Sequence, residues 1–180
     1  MIRAKSWQIV FLFLSSHIVC AQDVPLRPSP TALTYARYKD SYAKVTYCQP
    51  RKRGREIFGK LVPYGEVWRT GANEATEITL TRDVFVNDTL LAAGTYSIFT
   101  IPGVTSWTII FNKDLGLWGS YNYNPKMDFM RLRIPVQDTG SETYESFTIQ
   151  FDQRNSVADL LLLWDKTKIS IPFQFIEPKP

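Results

Sequence analysis

Hydrophobic and polar residues alternate with a period of two over most of the chain. Ala43, Val45 and Tyr47 alternate with Lys44, Thr46 and Cys48. Phe147, Ile149 and Phe151 alternate with Ser146, Thr148 and Gln150, and Ile169, Ile171, Phe173 and Phe175 with Lys168, Ser170 and Gln174. Successive side chains of a strand point to opposite faces, so this period predicts half-buried strands. It also puts Cys48 on the polar side with Thr46, which predicts a thiol less buried than its neighbours. Tyr96 to Ile101, Trp107 to Phe111 and Leu160 to Trp164 are apolar throughout or nearly so, and predict strands covered on both faces. Turn formers separate these runs: Asn87-Asp88, Ala93-Gly94, Pro102-Gly103 and Asp138 to Gly140. No window carries a sustained 3.6-residue stripe, so at most one helical turn is expected, near Ile57 to Leu61. The predicted class is all-β: an antiparallel two-sheet sandwich or barrel-like fold of about eight to ten strands with little or no helix.

The first 21 residues break this pattern. Arg3 and Lys5 precede the apolar stretch Ile9 to Leu14, and Val19-Cys20-Ala21 supplies small residues at a cleavage position, the organisation of a secretory signal peptide. Ser15, Ser16 and His17 interrupt the apolar run, which is too short for the roughly 20 residues of a membrane span. A lipoprotein signal acylated at Cys20 is the alternative, although Val19 stands where such signals carry a smaller residue. Cleavage after Ala21 removes 21 of 180 residues and leaves 159. Residues 22–30, with Pro25, Pro28 and Pro30, read as an extended linker, 31–176 as a single β-rich domain and 177–180 as a polar tail. The expected location is periplasmic or extracellular, with no membrane span in the mature chain.

Composition then restricts the chemistry. Of the net charge of +4, Arg3 and Lys5 supply two, so the mature domain carries +2 and nucleic acid is not an expected partner. The single histidine, His17, and Cys20 both leave with the signal. Without histidine there is no Ser-His or Cys-His nucleophile and no histidine-containing zinc site, so no metal or cofactor is expected. Cys48 has no intrachain disulfide partner, and stability must come from packing. Carboxylate-pair hydrolysis survives, with Glu66, Glu74 and Asp114 as candidates.

One region departs from alternation altogether. Arg51 to Glu74 reads RKRGREIFGKLVPYGEVWRTGANE, and an irregular segment this long inside a compact domain points to function. Its basic run, Arg51, Lys52, Arg53 and Arg55, suits an anionic ligand or a solvated loop that blocks edge pairing. Arg55 and Arg69, each near glycine and an aromatic ring, suit cation packing against Phe58 or Trp68. A second aromatic cluster, Leu117 to Asn124, interleaves Trp118, Tyr121 and Tyr123 with asparagine, the makings of a sugar-stacking platform or of a loop pinned by buried rings.

Three ordered motifs, Gly54 to Thr76, Leu91 to Gly103 and Phe111 to Tyr123, resemble domain of unknown function 2911, a family of secreted and envelope proteins from Gram-negative bacteria. The likeness runs from about Ser29 to Phe175 and implies one exported β-rich domain, without implying a reaction. The family pattern falls on Arg55, Gly59, Pro63, Gly65, Trp68, Arg69, Gly71, Asn73 and Glu74, then on Gly94, Tyr96, Lys113, Trp118 and Gly119. Gln49 and Leu117 depart from it, standing where the family commonly has arginine and glutamine.

The leading expectation is an exported binding module for a carbohydrate or small anionic ligand. Its pocket is expected to comprise Arg55, Trp68, Arg69, Asn73 and Glu74, roofed by Lys113, Trp118 and Tyr121. The alternatives are a histidine-free glycan hydrolase using Glu66, Glu74 or Asp114, and a structural envelope protein in which Arg55, Arg69 and Glu74 pair in a buried network.

Overall fold

A computed structural model describes residues 26–177. The predicted signal peptide, the linker up to residue 25 and the last three residues of the tail lie outside the described residues. Twelve strands form: β1 (Thr31–Tyr38), β2 (Ser41–Cys48), β3 (Thr76–Leu80), β4 (Val84–Val86), β5 (Thr89–Leu91), β6 (Gly94–Ile101), β7 (Ser106–Asn112), β8 (Asp128–Pro135), β9 (Gln137–Asp138), β10 (Tyr144–Arg154), β11 (Val157–Asp165) and β12 (Thr167–Phe175). They make two antiparallel sheets, ordered β1-β2-β3-β6-β7-β8 and β10-β11-β12-β4-β5, with β9 paired to β12. The sheets do not close into a barrel, so the sandwich alternative is the one realised. Nine strands have five or more residues, within the expected range, and the excess is β4, β5 and β9, too short for a period to show.

Local chemistry sets the connections. Asn87 and Asp88, with φ of 45° and 62°, make the two-residue turn between β4 and β5 whose twist matches that of the strands. Near Ile57 to Leu61 no helix forms. Gly59 adopts φ of 90° and the loop is closed by Val62 N–H donating to Ile57 O at 2.9 Å and Gly59 N–H to Val62 O at 2.9 Å. The helical turn found among the described residues is instead Pro125–Met127, a short 3-10 turn capped by the Asn124 side chain.

The core lies between the sheets, and the irregular segment contributes to it. Ile57, Val62 and Trp68 belong to the same buried cluster as Trp107, Phe147 and Trp164. Trp68 stacks on Trp164 with centroids 5.9 Å apart and meets Phe147 edge-on at 5.1 Å. Arg51 to Glu74 therefore plugs one end of the sandwich with an aromatic wedge.

The outer face of the first sheet is divided. Over β6 and β7, Phe99 and Ile110 are buried beneath Ala75, Val67, Leu117 and Tyr123, a second small apolar cluster roofed by two loops. Over β1 and β2 no loop of the described residues covers the face, and Leu33, Tyr35 and Tyr42 are exposed. The free edge of β1 is blunted by Gln153, whose amide accepts from Arg37 N–H at 3.2 Å and donates to Arg37 O at 2.7 Å, occupying groups that another strand would seek.

Candidate functional site

The boundary between the roofed and open halves holds the site. The chain from Trp68 to Ala75 crosses the end of β2 so closely that a Cβ on Gly71 would stand 2.9 Å from Cys48 O and 3.3 Å from Thr76 Oγ1. Only glycine fits there. Gly71 O accepts the Trp68 Nε1–H bond at 3.0 Å, which ties this crossing to the core wedge. Beside it Thr70 is held at φ of 55°, a strained conformation for a β-branched residue. Buried hydrogen bonds fix it: Thr70 Oγ1 donates to Thr100 Oγ1 at 3.2 Å and Thr76 Oγ1 donates to Thr70 O at 2.6 Å.

This backbone presents Glu74 to the Trp118 loop. Ala75 N–H donates to Leu117 O at 2.8 Å and Gly119 N–H to Asn73 O at 2.9 Å, so Glu74 and Trp118 face each other in a two-residue antiparallel bridge. Residues opposed in this way project to the same side. Trp118 is 58% exposed.

The carboxylate of Glu74 joins two other elements. Arg27 Nη1 donates to Oε1 at 2.8 Å and the Cys48 thiol donates to Oε2 at 3.2 Å. The Arg27 hydrogen bond, followed by a backbone N–H bond and the Cys48 thiol, holds the Glu74 carboxyl down at about 2, and the same pairing raises Arg27. Glu74 is thus an acceptor throughout the physiological range. Cys48 is 3% exposed, against the exposure expected from its alternation, because Thr31, Gly71 and Glu74 close over the end of its strand.

A cavity of about 260 Å³ opens here, lined by Thr31, Thr46, Cys48, Glu74, Glu77 and Gly116. Through Thr31 it adjoins a wider groove of about 510 Å³, lined by Arg27, Pro28, Pro30, Thr31, Arg51 and Arg53. The basic run is divided between two tasks. Residues 50–52 extend the sandwich edge, with Phe147 N–H donating to Pro50 O at 2.8 Å and Lys52 N–H to Glu145 O at 2.7 Å. Lys52 turns to an ion pair with Asp165, and Arg55 caps the Lys52 and Arg51 carbonyls at 3.0 and 2.7 Å. Arg51 and Arg53 form no salt bridge among the described residues and face the groove.

The expected pocket is therefore only partly assembled. Glu74 lines the cavity, and Asn73 and Trp118 lie beside it, Asn73 Nδ2 donating to Ser29 O at 3.3 Å. Trp68 is in the core, Arg55 is a loop cap, and Arg69 is half-buried, its Nε enclosed without a hydrogen-bond partner. Among the described residues neither Arg55 nor Arg69 packs on a ring; Lys113 does, 4.9 Å above Phe129. Tyr121 is 85% exposed, its ring against Gly119. Arg55, Arg69 and Glu74 do not form the buried mutual network considered above, because Glu74 pairs with Arg27.

Of the carboxylates named for hydrolysis, Glu66 is exposed in a turn and Asp114 lies outside the cavity lining, its backbone tied to Asn112 Oδ1 and Ser97 Oγ. The residues missed in the sequence are Arg27, Thr31, Thr46 and Glu77. Glu77 had a legible signal, since it alternates with Thr76 and Ile78 on a strand. Arg27 had none, because it lies in the linker. Among the described residues no group of three histidine, cysteine or acidic side chains converges as a metal site, and no helix is long and apolar enough to cross a membrane.

Two antiparallel sheets packed face to face, with loops covering half of one outer surface, define the class as a β-sandwich domain. Residues 29–173 match the family described as Protein of unknown function (DUF2911), and the chain belongs to that family. No curated protein and no solved structure matches it.

Proposed function

We propose that this chain is an exported binding module whose ligand is a carbohydrate bearing an acidic group. The observation that carries the reading is the joining, at Thr31, of a mainly apolar cavity bearing the carboxylates of Glu74 and Glu77 to a groove lined by Arg51 and Arg53. Arginines supply planar paired donors to a carboxylate, sulfate or phosphate, while the carboxylates of Glu74 and Glu77 accept from sugar hydroxyls. Trp118, on the same side as Glu74, offers a ring for the apolar face of a sugar. Binding is favoured over glycan hydrolysis because Glu74, held ionised by Arg27, has no proton to give a leaving group, the task that requires a raised carboxyl pKa. Export through the N-terminal signal accords with a domain that needs no reducing compartment and meets glycans outside the cytoplasm.

A glycan array carrying neutral, uronate, sialylated and sulfated sugars tests the reading. Acidic sugars are expected to be retained, with Arg51→Ala and Arg53→Ala losing retention while the melting temperature stays unchanged. Retention of no acidic sugar, or retention indifferent to both variants, rejects the proposal. Intact mass of the exported protein tests cleavage after Ala21 against acylation at Cys20.

A further inference from the structure

The open half of the first sheet continues the site. The register between β1 and β2 pairs Thr31 with Cys48, Leu33 with Thr46, Tyr35 with Lys44 and Arg37 with Tyr42. Directly opposed residues share a face, so these pairs form one ladder leading away from the cavity, which Thr31, Thr46 and Cys48 already line. At its far end lies another concavity, of about 500 Å³, bounded by Tyr35, Arg37, Asp40, Tyr42 and Lys44. Tyr35 is 65% exposed and Leu33 57%. Among the described residues no cation lies over either tyrosine ring.

The charge at this far end is also set. Asp40 is neutralised by its ion pair with Arg82, and Arg37 uses only Nε, on Lys39 O at 3.0 Å. Lys44 makes no salt bridge among the described residues. The ladder thus has uncommitted cationic groups near both ends, Arg51 and Arg53 at one and Arg37 and Lys44 at the other, with apolar and hydroxyl side chains between them and the carboxylates of Glu74 and Glu77 beside Thr31 and Thr46. From Thr31 to Tyr35 the strand advances roughly 13 Å at about 3.3 Å per residue, farther than one sugar ring reaches.

The geometry points to an extended track along the outer face of β1 and β2 that binds an acidic oligosaccharide, one end in the Arg51 and Arg53 groove and the other stacked on Tyr35 and Tyr42. This rests on the acidic-carbohydrate reading above and adds chain length and direction to it. An oligomer is the occupant because cations stand at both ends of a ring-bearing face longer than one sugar. A single small anion would use only one end.

Titration calorimetry of the mature protein with monomers and tetramers of galacturonate, mannuronate and guluronate tests it. For the uronate that binds, the tetramer is expected to bind at least about ten-fold more tightly than the monomer, since the second contact becomes intramolecular. The exposed-site double variant Tyr35→Ala/Tyr42→Ala is expected to bring the tetramer down to the affinity of the monomer and to leave the monomer itself unaffected. Equal affinities for monomer and tetramer overturn the track and leave the groove reading standing. Unchanged tetramer binding by the double variant, or equally tight binding of inorganic tetraphosphate, also overturns it, because charge alone then suffices. Failure of every uronate to bind at either length overturns the track, while the proposed function stands or falls with the sialylated and sulfated sugars of the array.

Discussion

The two halves of one sheet face behave as two different surfaces. Over β6 and β7, loops lay Val67, Ala75, Leu117 and Tyr123 on Phe99 and Ile110, and the face is as dry as the interior. Over β1 and β2, side chains in the same pleated arrangement meet solvent, and Leu33, Tyr35 and Tyr42 stand free. The cavity lies at the step between them, where the roof ends at Glu74 and Gly116 and the floor continues as Thr46 and Thr31. Concavity here is made by incomplete cover, so residues that hold the roof down matter to the site without touching a ligand.

The largest contrast is between truncations on the two halves. Phe99→Ala is expected to destabilise the fold by about 3 to 5 kcal/mol, the cost of a cavity left by a buried ring. Tyr35→Ala is expected to stay within about 0.5 kcal/mol, as exposed substitutions do. Urea titration of both variants checks this, and comparable losses would mean that the two halves are not distinct.

Next comes the crossing that sets the roof in place. Gly71→Ala forces a methyl group against Cys48 O, and a loss of about 1 to 3 kcal/mol is expected, read as a lower urea midpoint. An unchanged midpoint would mean that the crossing gives way without cost.

The base of the second loop is held by a polar network. Tyr123 OH donates to Asp128 Oδ2 at 2.7 Å and accepts from Arg131 Nη2 at 2.7 Å, while Asn112 Nδ2 donates to Asp128 Oδ1 at 2.7 Å. Burial, then the Asp128 bond, pushes the Tyr123 phenol from 10.0 up to about 12. The folded state thus holds a proton that the unfolded chain gives up first. The stability from this group is fully present below pH 10 and is lost as the pH rises towards 12. Tyr123→Phe is expected to cost about 1 kcal/mol at neutral pH and to flatten this part of the alkaline profile, followed by circular dichroism.

The smallest effect concerns the strap over the cavity. Glu74 is depressed from 4.5 to about 2, so its contribution is present above pH 4.5 and lost as the pH falls towards 2. Hydrogen exchange at Gln49 N–H, which donates to Pro30 O at 2.9 Å, reports on the strap. Its protection is expected to fall over that acid interval in the wild type. In Glu74→Gln it should be low and independent of pH, with the melting temperature unchanged because the ion pair is exposed.

Much of the sandwich was legible because burial in a sheet leaves a period of two. Val45, Ile149 and Ile171 announced inward faces, and the unbroken runs at Tyr96, Trp107 and Leu160 announced strands covered twice. The site was legible only in part. The irregular segment was recognisable as special, and its Glu74 lines the cavity. Trp68 and Arg55, from the same motif, serve the core and a loop cap, since glycine-rich irregularity marks a wedge as readily as a pocket. Cys48 was misread because alternation tells which face a residue is on and nothing of what lies across it.

The amino-acid order by itself determined an all-β chain with its strands, turns and a single histidine, His17, that lies ahead of the β-rich segment, because these follow from local pattern and counting. The tertiary structure alone decided that Arg27 reaches Glu74 across 47 positions, that Lys52 and Arg55 are occupied while Arg51 and Arg53 face a groove, and that the described residues leave half of one sheet face uncovered. Those outcomes depend on which segments meet after the chain crosses between sheets, and contacts so distant in sequence leave no periodic trace within it.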